Sequence, residues 1–441
     1  MRKLRNDATK IFMSAINAVK PGHLIQNKVF LENDILKIGP HPFNLCEHER
    51  IYIIGAGKAS AMMARALEEV LGAKIDYGVI SVKYGHSVEC HKIKIIEAGH
   101  PVLDQNGLAA TDQILKLAQG ATERDLIICL ISGGGSALLE SLPTNISLHD
   151  LQKVFELLLG CGSNIEEMNT VRKHLSLVKG GQLTRTIYPA TCISIILSDV
   201  IGDSLNAIAS GPTAPDPTTF KKAWDIIEKY NLINQLPNSV RSHLDQGVKG
   251  KIEDTLKPED PIFGKVNNFI IGNNLLALKT AQEEAKRLGY NTLILTSRVQ
   301  GEAREVAQVV ASIAQEIEIY DLPIKKPACF LMGGETTVTL RGKGKGGRNQ
   351  ELALAALIAM EKVKKDYVIV SCGTDGTDGP TDAAGGMVDY EVMKNAVNLQ
   401  LNPQTHLDEN NAYPFLQKTG GLIKTGPTGT NVMDIILAII P

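Results

Sequence analysis

The chain has 441 residues, of which 44% are hydrophobic and 21% charged, and its formal net charge is −2. That length exceeds what one hydrophobic core ordinarily supports and predicts two domains, while the even charge balance leaves no basic excess for nucleic acid or a membrane surface. Any anion site must therefore be local, and small molecules are the expected partners.

No apolar run reaches the roughly 18 residues of a membrane helix. The seven cysteines show no CxxC pair or metal spacing, and four sit in strand-like runs, so buried free thiols in a cytoplasmic setting are expected. At the N-terminus, Ile11, Phe12, Ala15, Ile16 and Val19 recur at helical spacing after a cap at Asn6 or Asp7, and Pro21 closes the run. This reads as a structural amphipathic helix, not a signal peptide.

The run 51–54 is apolar and leads through Gly55-Ala56-Gly57-Lys58 into a helical pattern over 59–71. The spacing is neither GxGxxG nor a Walker A loop. A lysine at a helix start is unfavourable unless an anion sits there, which makes Lys58 and Gly57 candidate ligand residues. Strands follow at 78–82 and 93–97, then a helix over 107–119. The run 126–131 has the pattern of a strand buried on both faces, and it opens into Ser132-Gly133-Gly134-Gly135-Ser136 and a new helix, a candidate small-anion cradle. A basic segment, 169–181, holds Arg172, Lys173, His174 and Lys179, with nothing in the sequence to say which face inward. Strand 191–197 ends at Ser198-Asp199, and a carboxylate there stands where α/β sheets place ligands.

After a proline-rich connection, 210–220, the strand pattern restarts at 269–271, followed by Asn273-Asn274 and a helix to 288. The restart divides the chain into an N-terminal domain, 1–240, and a C-terminal domain, 241–441, with a boundary uncertain by about 20 residues and a last segment that could return to the first domain. The second set has strands at 292–295, 329–332 and 367–371. Gly334-Glu335-Thr336 follows the middle one, and the alternation of Thr336, Val338 and Leu340 predicts another, half-buried strand. Beyond it, the basic glycine-rich segment 341–348 enters a helix that is apolar all round and therefore buried. Lys343, Lys345 and Arg348 would meet an anion at that helix start. Asp375, Asp378 and Asp382 stud a glycine loop that fails the EF-hand pattern but suffices for Mg²⁺, which needs only one or two carboxylates beside phosphate oxygens.

Together the segments GAGKAS, GHPVLD, LISGGGSALL, NTVRKHLSLVKGG, LSDVIGD, SGPTAPDPTTF, IIGNN, GGETTVTLRGKGKGGRNQELAL, GTDGTDGPTDAAGG and TGPTGTNVMD, spread over 55–434, resemble the glycerate 2-kinases of the MOFRL type. The resemblance implies an α/β enzyme of two domains, each a mainly parallel sheet flanked by helices: a Rossmann-like N-terminal domain and a smaller MOFRL domain. It implies ATP-dependent phosphorylation of D-glycerate to 2-phosphoglycerate in an interdomain cleft, with Lys58, Asp199 and Arg348 catalytic or substrate-contacting. Leu103 and Met433 depart from the family's usual residues and touch none of these. Within that frame Lys58, Arg348 and Lys345 face phosphate or carboxylate. Gly57, Ser132 to Ser136, Asn273, Asn274, Gly334, Glu335 and Thr336 bind substrate or phosphate, Asp199 orients or deprotonates the hydroxyl, and Asp375 and Asp378 hold Mg²⁺. The alternatives are a hydroxypyruvate reductase using NAD(P)H and a non-catalytic sugar-acid sensor.

Overall fold

The structure, a computed structural model, describes residues 1–363 and 365–441. It resolves into two compact units, Leu24–Ile271 and the combination of Met1–His23 with Gly272–Pro441.

In the unit Leu24–Ile271 six strands lie in the order Ile93–Ala98, Tyr77–Lys83, Arg50–Ala56, Asp125–Ile131, Thr191–Leu197, Val266–Gly272. The first five pair in parallel. Every residue of Asp125–Ile131 is buried, as its unbroken apolar run demands of a strand covered on both faces. Chain order runs outward one way from Arg50–Ala56 and the other way from Asp125–Ile131. The crevice between those two strand ends is therefore the topological switch point where open α/β sheets bind ligands. The run at 269–271, read as the start of the second domain, instead completes this first sheet as its last strand. The division consequently falls at 271/272, not at 240/241.

The other unit has the strand order Asn291–Val299, Ala328–Gly334, Asp434–Ile440, Val368–Gly373, Gly385–Asp389, Leu422–Ile423. Only the first pair is parallel, and the other four are antiparallel, so this sheet is mixed and not mainly parallel. The connection 374–384 is a helix-free loop too short for a crossover, and it returns the chain as a hairpin. Helices Ala303–Tyr320 and Arg348–Ala359 contribute to one hydrophobic core with this sheet. The second is buried from Asn349 to Leu357, as its all-round apolar character requires.

The closing strand Asp434–Ile440 is central to the second sheet. It is the first segment that crosses over instead: helix Arg2–Ala18 packs on Asn274–Arg287 and on that closing strand. Its buried face is Leu4, Asp7, Ala8, Ile11, Phe12, Ala15 and Ile16. Asp7 is thus not a cap, because the helix begins at Arg2 and the Asp7 carboxylate accepts the Tyr290 hydroxyl at 2.8 Å. The alternation at 336–340 does not make a strand. Only an isolated bridge, Glu302 to Thr337, forms there, and Leu340 is 80% exposed with no sheet to cover it. All seven cysteines are free thiols, four of them buried. Among the described residues no helix is long and apolar enough to cross a membrane.

Candidate active site

The C-terminal ends of adjacent parallel strands deliver the first group of candidates. Gly57-Lys58 follows Arg50–Ala56, the Ser132-to-Ser136 loop follows Asp125–Ile131, and Ser198-Asp199 follows Thr191–Leu197. The first two loops touch. The Lys58 amide donates to the Gly133 carbonyl at 2.8 Å, and Ser132 Oγ accepts from the Ala59 amide at 3.0 Å and lies 2.9 Å from Ser60 Oγ. A Cβ on Gly57 would stand 2.2 Å from Ser132 Oγ and 2.5 Å from its carbonyl oxygen, and φ is +143° there, so only glycine fits. Ser132 is buried and fastens the two turns, while Gly134 and Ser136 are the half-exposed members of the loop. The helix expected after the loop is one turn, Gly135–Leu138.

His100, which the sequence reading passed over, completes this group. Its Nε2 would be 2.9 Å from a Cβ at Gly134, and the Lys58 side-chain stem would be 3.3 Å from the same point, so lysine, histidine and glycine loop converge. Burial and the neighbouring Lys58, Lys83 and His86 charges push the His100 pKa down to about 4, which leaves the ring neutral at physiological pH. The Ser136 hydroxyl meets Ser210 Oγ at 3.0 Å, and Ser210 reaches Asn169 Oδ1 at 3.3 Å. The half-buried Asp199 stands in the loop where the Val200 amide turns back to Ser198 Oγ.

The second group lies in the other unit around Arg348, the first residue of its helix. Arg348 makes a two-pronged contact with Asp434, Nε to Oδ2 at 2.6 Å and Nη2 to Oδ1 at 3.0 Å, and its Nη1 lies 2.8 Å from Glu335. Burial works against the guanidinium charge, but the Asp434 hydrogen bonds and the Asp434, Glu335 and Asp378 charges outweigh it and raise the pKa. Asp434 was missed because it ends a loop and opens an apolar strand, with no polar neighbour at recognisable spacing.

Asp378 differs from expectation. Its Oδ1 accepts the Asn349 amide at 3.1 Å, and its Oδ2 accepts the Gln350 amide and Gln350 Nε2 at 2.9 Å each. It is therefore a buried cap on the helix start. Burial pushes its pKa up to about 6 against those hydrogen bonds, with the Asp434 charge adding to the rise. Asp375 is half-buried, and its Oδ1 accepts from the Thr377 amide and hydroxyl at 2.9 and 3.0 Å. Asp375 Oδ1 and Asp434 Oδ1 would each be 3.4 Å from a Cβ on Gly373, so two carboxylates flank that glycine. Among the described residues no three His, Cys, Asp or Glu side chains form a group fit to hold a metal ion.

Most of the remaining candidates have partners within the chain. Asn274 Nδ2 donates to the carbonyls of Val432 and Asp434 at 2.9 Å each, and Asn273 Oδ1 caps its helix on the Leu276 amide at 2.9 Å. Gly334 lets its strand close on Val299, whose carbonyl oxygen would be 2.2 Å from a Cβ. Thr336 is buried, and Lys345 Nζ lies 4.6 Å from the centre of the Tyr413 ring. The glycines at 342, 344 and 347 admit Glu409, Asn411 and Asp378, while Arg341, Lys343 and Lys345 stay exposed.

A sheet in 3-2-1-4-5-6 order with a lysine and glycine turns at its switch point places this unit among the α/β proteins that bind ligands at the strand ends. Residues 7–245 match the family model described as a domain of unknown function, DUF4147, and residues 328–434 match the MOFRL family. The chain belongs to this DUF4147 and MOFRL glycerate kinase family. It is 43% identical to the glycerate 2-kinase of Pyrococcus horikoshii over 99% of this chain and 97% of that one. To the D-glycerate 2-kinase of Thermotoga maritima it is 44% identical, covering 89% and 91%. The crystal structure of a Thermotoga maritima glycerate kinase superposes with a TM-score of 0.88 at 40% identity, covering the whole of both chains.

Proposed function

We infer that the chain is an ATP-dependent D-glycerate 2-kinase. The observation that carries the reading is the closure of the Lys58 turn onto the Ser132-to-Ser136 loop at the switch point, which sets a lysine and the loop's serines side by side. Phosphoryl transfer needs placement and charge neutralisation more than covalent chemistry, and these residues offer both. Lys58 meets the transferring phosphate or the glycerate carboxylate, and Arg348 is the candidate cation of the other unit. Gly134 and Ser136 contact the hydroxy acid, and Asp199 orients or deprotonates the attacking hydroxyl. A Mg²⁺ ion would neutralise charge on the ATP phosphates. Asp375 fits as its protein ligand, whereas Asp378 does not, because helix N–H groups and the Gln350 amide already occupy both of its oxygens. The names of the relatives support position 2 as the site of phosphorylation.

The reductase reading lacks support in the same residues. Asp76, the acid about 20 residues beyond the glycine turn, accepts the Ile51 amide at 2.7 Å and precedes strand Tyr77–Lys83, opposite to where a ribose hydroxyl would be read. Purified protein given ATP, Mg²⁺ and D-glycerate should form a product that enolase consumes without added mutase. Product requiring mutase would move the phosphate to position 3, and NAD(P)H-dependent hydroxypyruvate reduction without ATP turnover would overturn the kinase reading.

A further inference from the structure

The basic segment 169–181 contains four cationic or titratable side chains, and three are matched. Lys173 Nζ pairs with Asp216 at 3.2 Å, His174 Nε2 with Asp254 at 3.0 Å, and Lys179 Nζ with Glu140 at 2.6 Å. Arg172 differs. Its guanidinium lies 4.4 Å from the Phe155 ring centre, and its Nε is buried with no hydrogen-bond partner among the described residues. A buried donor left unmade costs the full desolvation of that group, so an arginine held this way is a receptor waiting for an acceptor.

Its position says which acceptor. Asn169, three residues earlier on helix Ile165–Lys173, lies on the same helix face and bonds Ser210, which meets Ser136 of the glycine loop. Glu140, at the far end of that loop segment, is close enough to influence the Arg172 charge, as is Lys179. Two cations against one carboxylate leave a single net positive charge, which suits a monoanionic carboxylate better than a multiply charged phosphate. The planar fork of arginine matches a carboxylate with two parallel hydrogen bonds. Burial also pushes the Arg172 pKa below its ordinary value, the direction that a bound anion would reverse.

We propose that Arg172 receives the carboxylate of D-glycerate, which leaves Lys58 of the same unit to the transferring phosphate. The assignment rests on the kinase reading above. Its test is steady-state kinetics on wild type, Arg172→Met and Arg172→Lys, with D-glycerate and with its uncharged amide, glyceramide. Methionine keeps an apolar stem on Phe155 and removes the fork. Arg172→Met should raise KM for D-glycerate by roughly 30-fold or more, the scale of losing one partner of a buried charged pair. KM for ATP should stay within about twofold, and the preference for D-glycerate over glyceramide should fall by a similar factor. Arg172→Lys, which keeps the charge but not the two-pronged geometry, should fall between. An unchanged preference in Arg172→Met, or a rise in KM for ATP instead of glycerate, overturns the assignment. Should the methionine variant fail to fold, a wild-type KM for D-glycerate in Arg172→Lys overturns it equally. A wild-type enzyme that neither binds nor phosphorylates D-glycerate removes the kinase reading and the assignment with it, whereas an active wild type beside an unaltered Arg172→Met removes the assignment alone.

Discussion

The two glycine-rich segments look alike in composition and meet different neighbours. In 132–136 a Cβ on Gly134 would meet His100 and one on Gly135 would meet Ala209, and the loop closes on the Lys58 turn at a sheet's switch point. In 341–348 Gly342, Gly344 and Gly347 admit Glu409, Asn411 and Asp378, and the cation that ends the segment, Arg348, is clamped by Asp434 and Glu335. The first packs among the strand ends of its own sheet, whereas the second packs on loops distant in sequence while Arg341, Lys343 and Lys345 stay exposed. Glycine content alone does not mark a phosphate cradle. What decides is whether a neighbouring loop has already taken the space.

The largest expected effect separates these roles through activity. Lys58→Ala and Arg348→Ala should each lower turnover by roughly 10²-fold or more, the scale of deleting one charge-stabilising donor in a water-poor site. Arg348→Ala should in addition reduce unfolding free energy by about 2 kcal/mol, since it strips the charged hydrogen bonds from the buried Asp434. Turnover close to wild type in either folded variant would break the comparison at its root.

A second experiment concerns the clamp beneath the open loop. Lys179 and Glu140 are each 1% exposed and paired at 2.6 Å. Lys179→Met should cost about 3–5 kcal/mol in urea unfolding, because an unpaired buried carboxylate remains, and adding Glu140→Gln should recover much of that loss. A double variant no more stable than the single one would show that the pair is not coupled as its geometry demands.

Two groups should give opposite pH slopes in the same window. His100 has its folded pKa lowered to about 4, so its contribution to stability is present above the ordinary histidine value and is lost as pH falls toward 4. Asp378 has its folded pKa raised to about 6, so its contribution is present below the ordinary aspartate value and is lost as pH rises through 6. Unfolding free energy measured from pH 4 to 6.5 should gain slope in Asp378→Asn and lose it in His100→Gln, by roughly 2–3 kcal/mol over the window. Slopes changing with the same sign would contradict the environments described.

The smallest effect sharpens the metal assignment. Asp375→Asn should raise the Mg²⁺ concentration for half-maximal rate several-fold, while Asp378→Asn should leave it unchanged and act on stability. A shift in the second and not in the first would exchange their roles.

How much of this was readable in the sequence depended on whether a residue's job was local. Buried strands such as Asp125–Ile131 and the all-round apolar helix Arg348–Ala359 declare themselves in a single run, and the turns at Lys58 and Ser132 follow directly from them. Asp434, His100 and Arg172 did not, because each acquires its role from partners far along the chain. The sheet direction in the second unit was misjudged for a similar reason. Strand type is legible in a run of side chains, but strand direction depends on which connection is long enough to cross over, and the last strand inserts between two earlier ones. The alternation at 336–340 failed because alternation needs a sheet neighbour, and Leu340 has none.

Helix Arg2–Ala18 has one more consequence. Its partners are Tyr290, Asp389 and the residues around Thr430, whose hydroxyl bonds the Val19 carbonyl at 2.6 Å. Topologically the unit Leu24–Ile271 is thus an insertion into the other, whose first piece leaves the ribosome hundreds of residues before its last. At about 5–20 residues per second that helix waits roughly 13–50 s for its main partner Asn274–Arg287 and roughly 20–80 s for the closing strand, while the inserted unit is free to fold around its own sheet. A nascent chain of this design is most exposed to aggregation or chaperone capture at its very beginning. A circular permutant that places the helix after the closing strand would shorten the delay.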